Sequence, residues 1–426
     1  MADRNELLLF STLLELSIIV LAGRFGGSLA SRFGQSAAVG EIIIGILLGP
    51  SLFGWIAPQA FGFVFHSAPP EPLLILSQIG LVLLMFQIGL EFDFAQLAAS
   101  ANRAAVARVS AACLVVPFIG GFGLGWFIAD GATTQESRID SALFVATAFS
   151  ITALPILGRI MMDFDLTRSR LGVVAVSAAA VNDVAGWLLL ALVTALTVSH
   201  FDAAGFAART ALVAAFGLVS VRLIRPLLKA AIRRSGSGDE ALTANLMGGL
   251  IVVVFAAAMT TYLIGIFAIF GGFMMGVVLF DERRLVEAWR ERVGRFVTVF
   301  FLPIFFTYTG LRTQIDGLHG LEDWLWCGAV VGVGCAAKLA SAYLAARGSG
   351  FDHPQSVMMG FMMNTRALME LIVVNVGFDL KVISQKTFTM LVIMAIVSTM
   401  MTTPALRHYL SRTVVERSPA APREPA

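Results

Sequence analysis

The sequence predicts an all-α polytopic membrane protein of about thirteen transmembrane helices. Three observations predict it. The first is composition: of 426 residues 58% are hydrophobic and 14% charged, with a mean hydropathy of +0.84. Soluble domains carry roughly 25% charged residues. A water-soluble enzyme, a nucleic-acid binder and a disordered chain are thereby excluded, and a net charge of +2 gives no reason to expect an anionic partner. The second is the recurrence of apolar runs near 20 residues, the length needed to cross about 30 Å of hydrocarbon. The third is the placement of basic residues. With the N-terminus outside, only Arg4, Arg138, Arg209, Arg312, Lys381 and Lys386 fall in the outer gaps. Lys338 and Arg366 lie within segments, and every other Lys or Arg falls on the inner side, as the positive-inside rule requires.

In chain order the apolar segments are 7–23, 37–56, 72–90, 104–128, 139–160, 171–198, 207–228, 241–259, 261–280, 294–311, 325–346, 355–377 and 387–409. Asp3, Arg4 and Glu6 stand where a signal peptide carries basic residues, so the first segment is expected to remain in the mature protein. The weakest separation is near Met259–Tyr262; merging those two segments gives twelve spans and moves the C-terminus to the other side. Residues 1–410 read as one transmembrane domain, and 411–426, rich in Pro, Ala and charge, as a short disordered cytoplasmic tail. Cys113, Cys327 and Cys335 lie in apolar runs without metal-ligand spacing and read as packing residues. The histidines show no ligand spacing. No P-loop and no strand-borne GxGxxG occurs, and Gly120, Gly121, Gly123 and Gly125 suit close helix packing. No cofactor, no nucleic acid and no enzyme activity is expected.

Ionisable groups deep in apolar runs carry the functional signal, because they are costly there. Asp183, in VVAVSAAAVNDVAGWLLLALV and directly after Asn182, is the sharpest. Its bland reading is a carboxylate satisfied by neighbouring donors. Its functional reading is a transported-ion site, Na+ or K+ alternating with H+ on one carboxylate. Loaded with either ion the site is neutral; empty, it is an unpaired charge whose passage costs several kcal/mol. Obligatory exchange follows, simplest at one for one and electroneutral. Lys338 reads either as a snorkelling lysine or as a buried ammonium partnering the acid. Arg366 and Glu370, at i and i+4, share a helix face and read either as a structural ion pair or as supports of an interrupted helix. Glu15 and Glu41 read as structural.

Two segments are interrupted. Ser150, Thr152 and Pro155 break the fifth, and Pro155 frees a carbonyl near Ile151. Asn364, Thr365 and Arg366 break the twelfth. Freed carbonyls and hydroxyls at mid-membrane make cation ligands, so Ser150 and Thr152 join Asp183 and Asn182 as candidate cation and proton ligands. The two broken segments are an odd number apart and cross in opposite directions, as in inverted repeats whose discontinuous helices meet at a midplane site.

The stretches AVGEIIIGILLGPS, AFSITALPILGRIM, VNDVAGWLLLAL, CAAKLASAYLAA and MNTRALMELIVVNVG, in this order, resemble the monovalent cation:proton antiporter-2 family. The nearest likeness is to its plant cation/H+ exchanger-like and bacterial Kef-type membrane domains. The resemblance implies the inverted-repeat Na+/H+ antiporter fold with two crossed discontinuous helices. It implies core helices around 104–198 and 325–409, with the remaining helices forming a dimerisation scaffold. It also implies a homodimer with an elevator-like motion in a bacterial inner membrane among its lipids, and exchange of Na+ or K+ for H+. The family's acidic pair and core lysine match Asn182, Asp183 and Lys338. Three departures stand out. Asn182 replaces the first aspartate of electrogenic members, so Lys338 needs another partner. Ala179 offers no hydroxyl one turn before Asp183. The long C-terminal regulatory domain of many relatives is missing, so no attached nucleotide-binding domain is expected. Two further readings are a potassium channel-like protein, which should carry a filter loop, and a sodium-coupled solute symporter, which should show more polar groups at mid-span.

Overall fold

The computed structural model describes residues 2–35, 37–65, 67, 69–91, 102–129, 135–164, 166, 169–198, 203–234, 243–265, 268–313, 317–366 and 368–410. The tail expectation for 411–426 lies outside them. Helices dominate: α1 (Ala2–Arg32), α2 (Ala37–Leu47), α3 (Pro58–Phe65), α4 (Glu71–Glu91), α5 (Arg103–Phe127), α6 (Gln135–Ser150), α7 (Leu154–Asp163), α8 (Arg170–Val198), α9 (Ala203–Val219), α10 (Arg225–Arg234), α11 (Ala244–Ile264), α12 (Ala268–Leu279), α13 (Arg283–Trp289), α14 (Leu302–Leu311), α15 (Gly320–Arg347), α16 (His353–Met363), α17 (Leu368–Asp379) and α18 (Gln385–Leu410).

Each apolar segment expected from sequence overlaps at least one described helix. Among the described residues 8 helices are long and apolar enough to cross a bilayer, or 9 if the pair Arg283–Gly294 and Val297–Leu311, bent by 42°, counts as one. The other expected segments are interrupted or short. Segments 139–160 and 355–377 each divide into two half-helices, and α2 passes into a wider turn at Pro50–Gly54. The weak boundary also moves. α11 runs on to Ile264 and ends at Gly265, whose φ of 90° suits a residue without Cβ. α12 then doubles back, and a Cβ on Gly271 would sit 2.3 Å from the Ala257 carbonyl oxygen. The two helices are therefore separate.

The chain divides into two compact units. One comprises Met1–Phe25, Ile44–Phe94 and Thr194–Arg312. Here α4 and α12 approach backbone to backbone: Cβ atoms on Gly89, Gly272 and Gly276 would lie 2.3, 2.5 and 2.2 Å from the carbonyl oxygens of Phe273, Val82 and Phe86. Glu15, only 5% exposed, lies one turn before Ile19, which packs with Phe61, Val64, Phe65 and Ile304.

The other unit comprises Gly26–Ile43, Ala95–Val193 and Thr313–Ala426. Small residues again let its helices close: Gly121 and Gly125 of α5 meet Ala146 and Ala142 of α6, and Gly334 of α15 meets Met394 of α18. Glu41 is 1% exposed on α2, its carboxylate beside Gly27. One end of the unit is held by the turn between α15 and α16. Arg108 donates to the Gly348 carbonyl at 2.7 Å, Arg170 donates to the Ser349 carbonyl at 3.2 Å, and Arg170 lies over the Phe351 ring at 4.6 Å. Asp352 then caps α16 by accepting the Gln355 N–H at 2.7 Å. All three cysteines are buried thiols.

Candidate functional site

The site lies within this second unit, where two half-helix pairs break at one place. Between α6 and α7 residues 151–153 leave the helix, and Pro155 falls in the first turn of α7, where its missing N–H costs nothing. Between α16 and α17 the chain leaves the helix at 365–366. Groups freed by one break are satisfied at the other. The Ala153 N–H donates to the Thr365 carbonyl at 2.9 Å, and the Thr152 hydroxyl donates to the Met363 carbonyl at 3.1 Å. Arg366 Nη1 reaches back to the Ala148 carbonyl at 3.1 Å, while Nη2 donates to the Gly334 carbonyl at 2.8 Å. The Arg366 N–H is accepted by the Thr399 hydroxyl of α18 at 3.2 Å, and the Thr365 and Thr402 hydroxyls meet at 3.1 Å. Irregular backbone is tolerable at membrane depth only with such partners.

Asp183 sits at the middle of the 29-residue α8, about 20 Å from either end. It is 1% exposed, and neither carboxylate oxygen has a hydrogen-bond partner among the described residues. The Leu154 amide, first in α7, faces it without closing a hydrogen bond, and Lys338 is within electrostatic reach. The α6–α7 break lies alongside: a Cβ on Gly186, one turn beyond Asp183, would touch the Ile151 side chain at 2.7 Å. Asn182 is fully buried with both side-chain polar atoms unpartnered.

Lys338 is 0% exposed. Its Nζ donates to the Cys113 carbonyl at 2.8 Å and, more closely, to the Ser150 carbonyl. The ammonium therefore points into the unit and does not snorkel. Ser150 also spends its hydroxyl, donating to the Ala146 and Leu114 carbonyls at 2.9 and 3.0 Å. The structure thus gives Ser150 and Thr152 carbonyl partners for their protons, leaving only their oxygen lone pairs to a cation.

Arg366 and Glu370 depart from the expected shared helix face. Arg366 lies in the break and only Glu370 is helical, in the first turn of α17. They still pair, Nη1 to Oε2 at 3.7 Å, both fully buried. Because the guanidinium is fixed on two carbonyls, it approaches the carboxylate without a short hydrogen bond. Sequence reasoning missed Thr399 and Thr402, which lie one turn apart in the STMMTT run of the last apolar segment; hydroxyls clustered opposite a broken helix were the available signal. It also missed the carbonyls of Cys113 and Gly334, which no side chain announces.

The family description sodium/hydrogen exchanger, transmembrane, matches residues 16–412. The chain is 37% identical over 405 residues to the Na+/H+ antiporter NhaS4 of Synechocystis, covering 94% of this chain and 97% of that protein. It is 33% identical over 403 residues to cation/H+ antiporter 17 of Arabidopsis thaliana, covering 92% of this chain and 47% of that one. With K+/H+ antiporter 1 of Saccharomyces cerevisiae the identity is 30% over 385 residues, covering 88% and 43%. The chain thus spans about half the length of the plant and yeast relatives. Among solved structures, the sodium proton antiporter NhaP1 of Methanocaldococcus jannaschii superposes with a TM-score of 0.66 at 15% identity, covering 95% of this chain and 98% of that one, which speaks for the fold.

Proposed function

Because the chain belongs to the sodium/hydrogen exchanger family, it is a membrane antiporter exchanging a monovalent cation for protons, not an enzyme, and we propose that Asp183 is the group the two ions share. The relatives are named as antiporters, which favours this reading over a channel or a symporter. Since their names include both Na+/H+ and K+/H+ exchange, the cation is Na+ or K+.

One observation carries the site assignment: a carboxylate at mid-helix, 1% exposed, with both oxygens unpartnered and Asn182 equally unpartnered beside it. A proton satisfies such an acid, and so does a dehydrated alkali cation; neither leaves room for the other. Freed backbone and hydroxyl oxygens at the α6–α7 break, with Ser150 and Thr152, supply further ligands. Lys338 takes a fixed role, since its donors rest on the carbonyls of Cys113 and Ser150. Loading Asp183 removes no hydrogen bond from it, and with Asp183 as the one group that exchanges ions the cycle runs one for one. Arg366 and Glu370 hold the second break in register.

In the membrane, the reading comprises thirteen crossings counting each broken pair as one, with the N-terminus outside and the C-terminus cytoplasmic in a bacterial inner membrane. The basic residues of the inner gaps support it. The helices of 104–198 and 325–409 form the moving core, the rest a homodimeric scaffold, and alternating access carries Asp183 between compartments. The test is exchange in proteoliposomes with an internal pH dye, adding Na+, K+, Li+ and Rb+ in turn. Asp183→Asn abolishes the signal for every cation; unimpaired exchange by the variant overturns the assignment.

A further inference from the structure

We infer that the end of α10 is a binding surface for anionic phospholipid. Helix α9 continues through the wider turn Ser220–Ile224 into α10, and its apolar side chains are bare: Leu218, Leu223 and Leu227 are 58, 57 and 61% exposed. Such a face needs hydrocarbon against it. Among these leucines stand Arg222, Arg225, Lys229 and Arg233, spaced three, four and four residues apart and so on one side of the helix, with Arg234 following. Cations interleaved with lipid-facing leucines lie at the boundary where acyl chains meet headgroups, within reach of phosphate.

The cations are unequally occupied. Asp281 accepts from Arg225 at 2.8 Å and from Lys229 at 2.5 Å, and Lys229 lies 3.2 Å from Glu282. Those two acids anchor the middle of the row. Arg222, Arg233 and Arg234, at its two ends, are exposed and have no acidic partner among the described residues. A helix end pinned by its own ion pairs, with unspent guanidiniums either side, presents preorganised donors to phosphate oxygens, which guanidinium binds in bidentate fashion. The adjoining apolar face favours a phosphate that carries acyl chains over a soluble anion or an acidic protein.

The test uses the full chain purified in neutral detergent. Melting is followed by tryptophan fluorescence while phosphatidylglycerol or phosphatidylcholine is titrated in. Phosphatidylglycerol raises the melting temperature more than phosphatidylcholine, and added salt reduces the difference. In R222Q/R233Q/R234Q the phosphatidylglycerol concentration for half-effect rises about tenfold or more, while R222K/R233K/R234K keeps most of the response. A full phosphatidylglycerol response in the glutamine triple variant overturns the inference. So does an equal response of the wild type to inorganic phosphate or to a polyglutamate peptide, which would mark a soluble anion or an acidic protein as the occupant.

Discussion

The Lys338 ammonium has three protons to donate, and two are already taken by the carbonyls of Cys113 and Ser150. Removing the donor while keeping the bulk isolates what those contacts do. Lys338→Met leaves two buried carbonyls orphaned, each worth about 1–3 kcal/mol of desolvation, so melting falls and exchange weakens; a variant that melts and exchanges like wild type would show the ammonium to be dispensable. Asp183 was legible in the sequence because a carboxylate in the middle of an apolar run is its own signal. The partners of Lys338 were not, because backbone carbonyls are the same at every position. Snorkelling was the reasonable competitor, and only the direction of the side chain decides against it.

At the scale of elements, the two breaks were legible from Pro155 and from the polar run Asn364–Arg366, but not their mutual repair. Thr152 reaching Met363, and Ala153 reaching Thr365, join positions some two hundred residues apart, and no local pattern encodes that. Thr152→Val removes one tie and strands the Met363 carbonyl; a melting drop accompanied by slower exchange is the expected result, and an unchanged protein would make the tie incidental. Outside the spans, Asp281 joins the turn after α12 to α10. Partial burial pushes its carboxyl up, but hydrogen bonds from Lys229 and Arg225 and their charges outweigh this and hold it below the usual carboxylate range. A depressed acid stabilises the fold in full above its unfolded value, near about pH 4, and loses that contribution as pH falls through the folded value. Asp281→Asn therefore melts lower than wild type at neutral pH, and the gap closes on acidification. A gap that persists at the acid end would assign the effect to something other than the charge.

For the whole molecule, the all-helical membrane class was set by composition, and most helix limits by apolar runs. One limit moved for a backbone reason: at Gly265 the chain turns only after α11 has run five residues past its expected end. Charge transport is the property that belongs to this scale. If Lys338 stays protonated while Asp183 alternates, exchange on a solid-supported membrane yields no net current at fixed pH. A robust current reversing at a two-proton potential would sink the one-for-one cycle. The backbone contact of α4 with α12 adds a practical point. With carbonyl oxygens only 2.2 to 2.5 Å from where Cβ atoms on Gly89, Gly272 and Gly276 would be, these two rods have little room to slide or roll past each other. Spin labels on them should report one separation whichever ion is supplied, giving every distance measured elsewhere in the protein a stationary ruler.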